Sequence, residues 1–478
     1  MVSAAPGARV PRRNPAACVA GGTSGGAIGP VAERPAGSGG LHRSLGLRDL
    51  VVYGLLFIAP MAPVGVFGVL DAKSRGAVAA VYLVATVAMG FTALSYAQMV
   101  RAVPQAGSVF AYARAGLGEA AGFTAGWMAM LDYLLIPAVA YLFSGIALHA
   151  LVPGVSRWLW TVLAVLVTTA LNLTGVRSAA VVGFAVLALE VAVLAVFVAA
   201  ALVALARHGA TRPALSPLTA VGGFSFGAVL SAVSVAVLSY LGFDAIASFV
   251  EEAVGASAAV ARAVLLCLFL AGALFTVQTY LAALLEPVTP QQLAAHPADQ
   301  GTAFYDTVES AIGHWLHTLV AVSKAIGAAF AALAGQAAAG RLLFAMGRQG
   351  RLPRGLAAVA PASGVPRRAL LLAALVTLTA AGWAAGRSDG LDQLTSVVNI
   401  GALTAFVLLH ASVIGWYTVK QHSRDRVRHL LLPVLGIAVI AAVVWRAGHT
   451  AQLVGALWLL AGLVVVAVQG AGPVGPRR

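Results

Sequence analysis

The chain is cut into a dozen apolar runs, and this segmentation limits what it can fold into more than any other feature. The runs lie near residues 50–70, 76–99, 119–150, 158–174, 179–206 and 224–250, then near 263–285, 317–345, 369–386, 391–416, 430–446 and 452–469. Gly, Pro and charged residues separate them. A helix needs roughly 20 apolar residues to cross a bilayer, and most of these runs qualify. The fourth and eleventh are short, which leaves a count of ten or eleven open. A water-facing core is excluded: 60% of the 478 residues are hydrophobic, only 10% are charged, and mean hydropathy is +0.92, whereas soluble domains carry about 25% charged residues. The fold class that follows is an all-α polytopic membrane protein with 12 transmembrane helices.

A net charge of +14 would suit a nucleic-acid binder, but its distribution points elsewhere. With the N-terminus in the cytoplasm, 22 of the Lys and Arg residues fall on the inner side and seven on the outer, with Lys324 inside a span. Positive residues concentrate on the cytoplasmic side of membrane proteins. The charge is therefore an orientation signal for the cytoplasmic membrane with both termini inside, and no nucleic-acid partner is expected. Residues 1–45 form a Pro-, Gly- and Ala-rich segment without the apolar core of a signal peptide. They are expected to be a disordered cytoplasmic tail. Cys18 and Cys267 make no disulfide framework.

Two spans carry breaks. The first holds Ala59-Pro60-Met61-Ala62-Pro63-Val64-Gly65 at its middle, and two prolines three apart do not fit an unbroken helix. The sixth contains Leu238-Ser239-Tyr240-Leu241-Gly242-Phe243-Asp244-Ala245. An offset of five spans gives the two halves opposite orientations, and interrupted helices at matching positions point to an inverted-repeat transporter with a site near the midplane. The bland alternative for the first span is a Pro kink, common in membrane helices.

Four stretches carry a family resemblance. They are Pro104-Gln105-Ala106-Gly107-Ser108 with Tyr112, Gly122-Phe123 and Gly126-Trp127; Leu131-Asp132-Tyr133 with Pro137; Ser239 through Ala245 with Glu251-Glu252; and Arg341 through Gly347-Arg348-Gln349-Gly350 with Pro353. From about residue 45 to 416 the chain resembles the amino acid–polyamine–organocation (APC) superfamily, nearest its bacterial putrescine importer branch. The resemblance implies a LeuT-type 5+5 inverted repeat with broken first and sixth helices. Its halves would be residues 46–206 (spans one to five) and 207–416 (spans six to ten), followed by 417–478 (spans eleven and twelve and a short cytoplasmic C-terminus). It further implies a secondary transporter importing a small organic amine, with an amino acid as the alternative cargo. Many amino acid permeases of the superfamily carry Gly-Ser-Gly at the first break, where backbone N–H groups hold the substrate carboxylate. Here that place reads Ala59-Pro60-Met61-Ala62, which tilts toward an amine.

Ionisable groups at membrane depth are costly and mark function by default. Asp244, at a helix break, is the first candidate for an ammonium group; the bland reading is a helix-capping carboxylate. Asp132, in span three, is the second, against a hydrogen-bonded structural role. Carbonyls of Ala59, Pro60, Met61, Ala62, Leu241, Gly242 and Phe243 would complete the substrate shell. Tyr141 and Phe243 are the gate candidates, with Tyr133 and Tyr240 nearby and membrane packing as the alternative. Glu190 on span five is a candidate proton carrier, or else an interhelical polar contact. Lys324 on span eight is either a fixed cation in coupling or a side chain snorkelling to the outer surface, the cheaper explanation. Span eight below Lys324 holds no Ser or Thr, which disfavours a sodium site and favours proton coupling. Glu251 and Glu252 mark an inner gate or a solvated helix end. Glu286, Asp299, Asp306 and Glu309 lie in an outer segment without Lys or Arg, a weak attractor for cations. Gly122 and Gly126 suit helix packing, and His410 suits an interhelical hydrogen bond. No Walker loop, metal-ligand cluster or nucleophile–base pair is visible, so neither cofactor, metal nor enzymatic activity is expected. A membrane sensor is the rival from another class, disfavoured because the tail and loops are too short for a signalling domain.

Overall fold

The first helix stops where its sequence requires. Ala59 precedes Pro60, a position that disfavours helical backbone, and it sits at φ 59°, ψ 108°. In a computed structural model describing residues 45–105, 108–174, 179–251, 253–254, 256–348, 353–358 and 366–470, the chain is helical. Its helices are α1 (Leu47–Ile58), α2 (Phe67–Ser74), α3 (Val78–Ala102), α4 (Ser108–Leu117), α5 (Glu119–Leu151), α6 (Arg157–Thr174), α7 (Ala179–His208), α8 (Ser216–Thr219) and α9 (Phe226–Ala236). There follow α10 (Ala256–Leu285), α11 (Pro290–Ala295), α12 (Ala303–Ala311), α13 (His314–Arg348), α14 (Arg367–Ala385), α15 (Gly390–Val413), α16 (Leu432–Arg446) and α17 (His449–Gly470). Among the described residues there is no strand, only an isolated bridge between Leu45 and Ala253.

Among the described residues ten helical segments are long and apolar enough to cross a membrane, and the count rises to eleven if the pair Phe226–Tyr240 and Phe243–Val250, bent by 41°, is one span. The twelve expected from sequence differ by one element: the apolar part of α6, Arg157–Leu173, is too short to count by length. The tail, Ala106-Gly107, Arg177, Glu252 and Gln349-Gly350 lie outside the described residues, as does the side chain of Glu251.

The helices sort into a centre and a rim. The spanning window of α15 is 72% buried, against 17% for α17. Leu453, Leu457, Leu460 and Val464 of α17 recur at helical spacing and are more than half exposed, an apolar face that only lipid or another protein covers favourably. The rim is nevertheless anchored. Trp127 Nε1 of α5 donates to the Trp458 carbonyl of α17 at 2.8 Å, Trp458 Nε1 donates back to the Trp127 carbonyl at 2.9 Å, and the indoles stack 4.8 Å apart. Central α5 packs against α13, α15, α4 and α6. Faces of Gly122 and Gly126 abut Arg114 and Phe110 of α4, which fits the packing role expected for them. His410 is buried, with Nδ1 2.8 Å from Ser95 Oγ and Nε2 3.4 Å from Thr92 Oγ, the interhelical contact expected.

Two charged residues in the loops between spans, Arg212 and Glu286, prove internal. Arg212 pairs with both oxygens of buried Asp71 on α2, at 2.8 and 2.9 Å. Glu286 is only 2% exposed and accepts from the Val288 N–H at 2.9 Å and from the Thr307 hydroxyl. It therefore adds nothing to an exposed entrance, a correction to the sequence expectation that follows from its loop folding back onto α12.

Candidate functional site

The two interrupted spans meet at their breaks. After α1, the Ala62 N–H returns to the Ala59 carbonyl at 2.9 Å, and a short 3-10 helix, Ala62–Gly65, leads into α2. After α9, a 3-10 turn ends at Tyr240, Leu241 is extended, and Gly242 takes φ 113° before the 3-10 helix Phe243–Glu251. Gly242 is needed twice over: any side chain is strained at that φ, and a Cβ there would stand 2.8 Å from the Phe57 carbonyl oxygen. The halves pair crosswise, with α1 against Phe243–Glu251 and α2 against α9.

Asp244 sits at the start of the second half of the sixth span. Its Oδ1 accepts from the Gly242 N–H at 3.3 Å, and Tyr96 Oη donates to Oδ2 at 3.5 Å. The capping role is thus present, and it leaves the tyrosine-facing oxygen weakly held. Tyr96 is a residue that sequence reasoning missed. It is fully buried and meets Phe243 and Phe406 edge-on at 5.8 and 6.0 Å. Nothing in its local sequence, Leu94-Ser95-Tyr96-Ala97, distinguishes it from a packing residue.

Asp132 on α5 lies within electrostatic range of Asp244, and Tyr133 within range of both. Asp132 Oδ1 is buried without a hydrogen-bond partner, an unusual state for a polar atom. Pro137 in the same helix has no N–H to give four residues back, so the Tyr133 carbonyl loses its intrahelical donor. The Pro137 in span three was the available signal for this acceptor.

A second group centres on Met61. Lys324 Nζ donates to the Met61 carbonyl at 3.0 Å and lies 5.0 Å from the centre of the Phe143 ring. The Glu190 carboxylate faces the Met61 backbone N–H. Glu190 and Lys324 form no direct ion pair among the described residues; both face one residue of the first break. Gly327 makes this possible, because any Cβ there would overlap Glu190 Oε1. Lys324 is 3% exposed, so snorkelling, the cheaper reading from sequence, is corrected: the ammonium is directed inward to a carbonyl freed by the break.

The remaining candidates divide. The Pro60 carbonyl accepts from Gln278 Nε2 at 3.0 Å, so the Ala59, Pro60 and Met61 carbonyls at the first break already have protein partners. Tyr141 is buried and its hydroxyl accepts from Thr168 of α6 at 2.7 Å, which spends its polar end on holding α5 to α6. Phe243 lies in the aromatic cluster beside Asp244. Tyr240 is bonded to Thr86 and to the Tyr82 carbonyl, at 2.7 and 3.1 Å. The fold thus brings together Asp132, Asp244, Phe243 and Tyr133, and separately Met61, Glu190 and Lys324.

The chain is similar over most of its length to several membrane transporters and permeases. The low-affinity putrescine importer PlaP of Escherichia coli (strain K12) is 28% identical over 89% of this chain and 93% of its own. The branched-chain amino acid permease BcaP of Bacillus subtilis (strain 168) is 27% identical over 90% and 93%. The methylthioribose transporter of the same organism is 26% identical over 88% and 90%. The pattern of the amino acid permease family matches residues 51–469. The chain is a multi-pass membrane protein and belongs to the amino acid permease family.

Proposed function

We propose that the protein is a secondary transporter importing a small organic amine, putrescine or a related polyamine first and an amino acid second, across the cytoplasmic membrane. The observation that carries the choice is the fate of the donors at the first break. The Ala59 N–H goes to Leu55, Pro60 has none, the Met61 N–H faces the Glu190 carboxylate and the Ala62 N–H goes to Ala59. No backbone donor in this stretch is left for an α-carboxylate, whereas Asp132 Oδ1 is an acceptor without a partner near a second carboxylate. A diamine needs acceptors and no carboxylate cradle. Tyr96, Tyr133 and Phe243 supply ring faces that attract ammonium groups. The similarity to a putrescine importer favours the same reading; the similarity to a branched-chain permease favours the alternative.

In this reading α6 is the short fourth of twelve spans. Residues 46–206 and 207–416 are inverted repeats, 417–478 adds two spans, residues 1–45 are a cytoplasmic tail, and both termini are cytoplasmic. Asp244 and Asp132 hold the cargo, with Leu241, Gly242 and the first break beside it, and Phe243 closes over it. Lys324 puts a fixed ammonium on a first-break carbonyl, a place where its charge repels sodium. Proton movement through Glu190 is the coupling step we assign instead.

The test is uptake of labelled putrescine into proteoliposomes against a panel of amino acids, for wild type, Asp244→Asn and Asp132→Asn. Asn keeps a capping oxygen while removing the charge. The expected result is saturable putrescine uptake, recovered chemically unchanged, reduced at least about tenfold in both variants, as loss of one charged contact of over 1.4 kcal/mol implies. Transport of amino acids with no putrescine uptake overturns the amine assignment and leaves the family intact.

A further inference from the structure

The junction of α12 and α13 carries a side-chain cluster that transport leaves unused. Glu309 lies in the last turn of α12, the chain turns at Ile312-Gly313, and α13 opens with His314 and places His317 three residues on, on the same helix face. Glu309 Oε1 is 3.1 Å from His314 Nδ1, and Glu309 Oε2 is 3.6 Å from His317 Nδ1. One ligand atom from each of the three residues lies within 4.8 Å of the other two. His317 is 3% exposed, packs edge-on against Tyr305 at 6.3 Å, and its Nδ1 has no hydrogen-bond partner. A buried ring nitrogen in that state carries a desolvation penalty, which a ligand at this point would remove.

We infer that Glu309, His314 and His317 form a binding site for a transition-metal dication of the zinc class. No metal-ligand cluster was visible from sequence spacing; the turn between the helices assembles this one. Two imidazoles and a carboxylate are a donor set that zinc takes. Metal–ligand bonds of about 2.0–2.1 Å at tetrahedral angles separate the donor atoms by roughly 3.3 Å, and the two imidazole–carboxylate separations, to the two oxygens of Glu309, straddle that value. Glu309 and His314 are exposed, so the site opens to solvent on the side that the charge distribution assigns to the outside, with a position left for water. Asp306, held by Thr302 at 2.8 Å, stands within electrostatic range of His317 and Glu309 and adds negative charge that favours a cation. Magnesium and calcium prefer all-oxygen shells and are refused.

The experiment is calorimetric titration of the full-length protein, tag removed and chelator-treated, in detergent, with ZnCl2 and with MgCl2. One zinc per chain is expected from this site, with no comparable magnesium heat. His314→Ala and Glu309→Gln alter exposed side chains and are expected to keep the metal-free melting temperature while weakening zinc at least about tenfold. His422→Ala, an exposed histidine elsewhere, is expected to change nothing. Absence of zinc binding, equal binding of magnesium, or zinc binding that survives both cluster variants overturns the proposal.

Discussion

Replacing Lys324 by Met keeps the stem and removes the ammonium. The substitution deletes a charge-assisted hydrogen bond to the Met61 carbonyl and a cation–π contact with Phe143. It leaves the Glu190 carboxylate, 2% exposed, without the cation that now lies within electrostatic range of it. Breaking one side of a buried charge arrangement costs about 3–5 kcal/mol. An unfolding entropy near 2.1 cal/mol/K per residue gives roughly 1 kcal/mol per degree over 478 residues, so the melting temperature should fall by about 3–5 °C. Glu190→Gln should fall by a similar amount, because Lys324 is then the uncompensated charge. The double variant should cost about as much as the worse single one, since both charges leave together. A fluorescence melt of the four proteins in one detergent reads this cycle directly. Single variants within about 1 °C of wild type, or a double variant equal to the sum of the singles, would refute the idea that the two charges act as one unit through Met61.

Two further outcomes follow from the geometry. Gly242→Ala forces a side chain into φ 113° and against the Phe57 carbonyl, a strain of about 1–3 kcal/mol; a lower melting temperature together with lost uptake is expected, and wild-type behaviour in both would show that the breaks need not touch. Burial pushes the Glu286 carboxyl up to about 7 from its ordinary 4.5, against the opposing hydrogen bonds from Thr307 and Val288. The folded protein therefore holds this proton more tightly than the unfolded chain, its contribution is complete below about 4.5, and it is lost as pH rises through about 7. Melting temperature should fall between pH 5 and 8 more steeply in wild type than in Glu286→Gln, and identical slopes would count against it.

The membrane character, the all-α class and both breaks were legible because each leaves a local mark: long apolar runs, paired prolines, a Gly beside an Asp. The inward-directed Lys324 was not. Its direction depends on where Met61 presents a carbonyl and on Gly327 admitting Glu190, two facts of three-dimensional packing between helices far apart in the chain. Tyr96 and Asp71 were invisible for a related reason, since one Tyr or Asp in a helix looks alike whether its partner is a neighbouring side chain or none. Glu286 misled because loop position suggests water, while the loop in fact folds inward. Glu309, His314 and His317 were in view as letters, but their convergence needs the turn between α12 and α13.

The reciprocal Trp127–Trp458 contact sets a clock on assembly. The two residues are 331 positions apart, and at about 5–20 residues per second of synthesis the first waits roughly a quarter of a minute to a minute for the second. Throughout that interval the helix bearing Asp132 is already made while its indole N–H lacks this acceptor. The last described helix, lightly packed as it is, supplies the acceptor and the stacking partner at one stroke. A chain released before it would carry every charged residue discussed here and still present an unfinished face, a feature by which a membrane protease would tell a truncated product from a complete one.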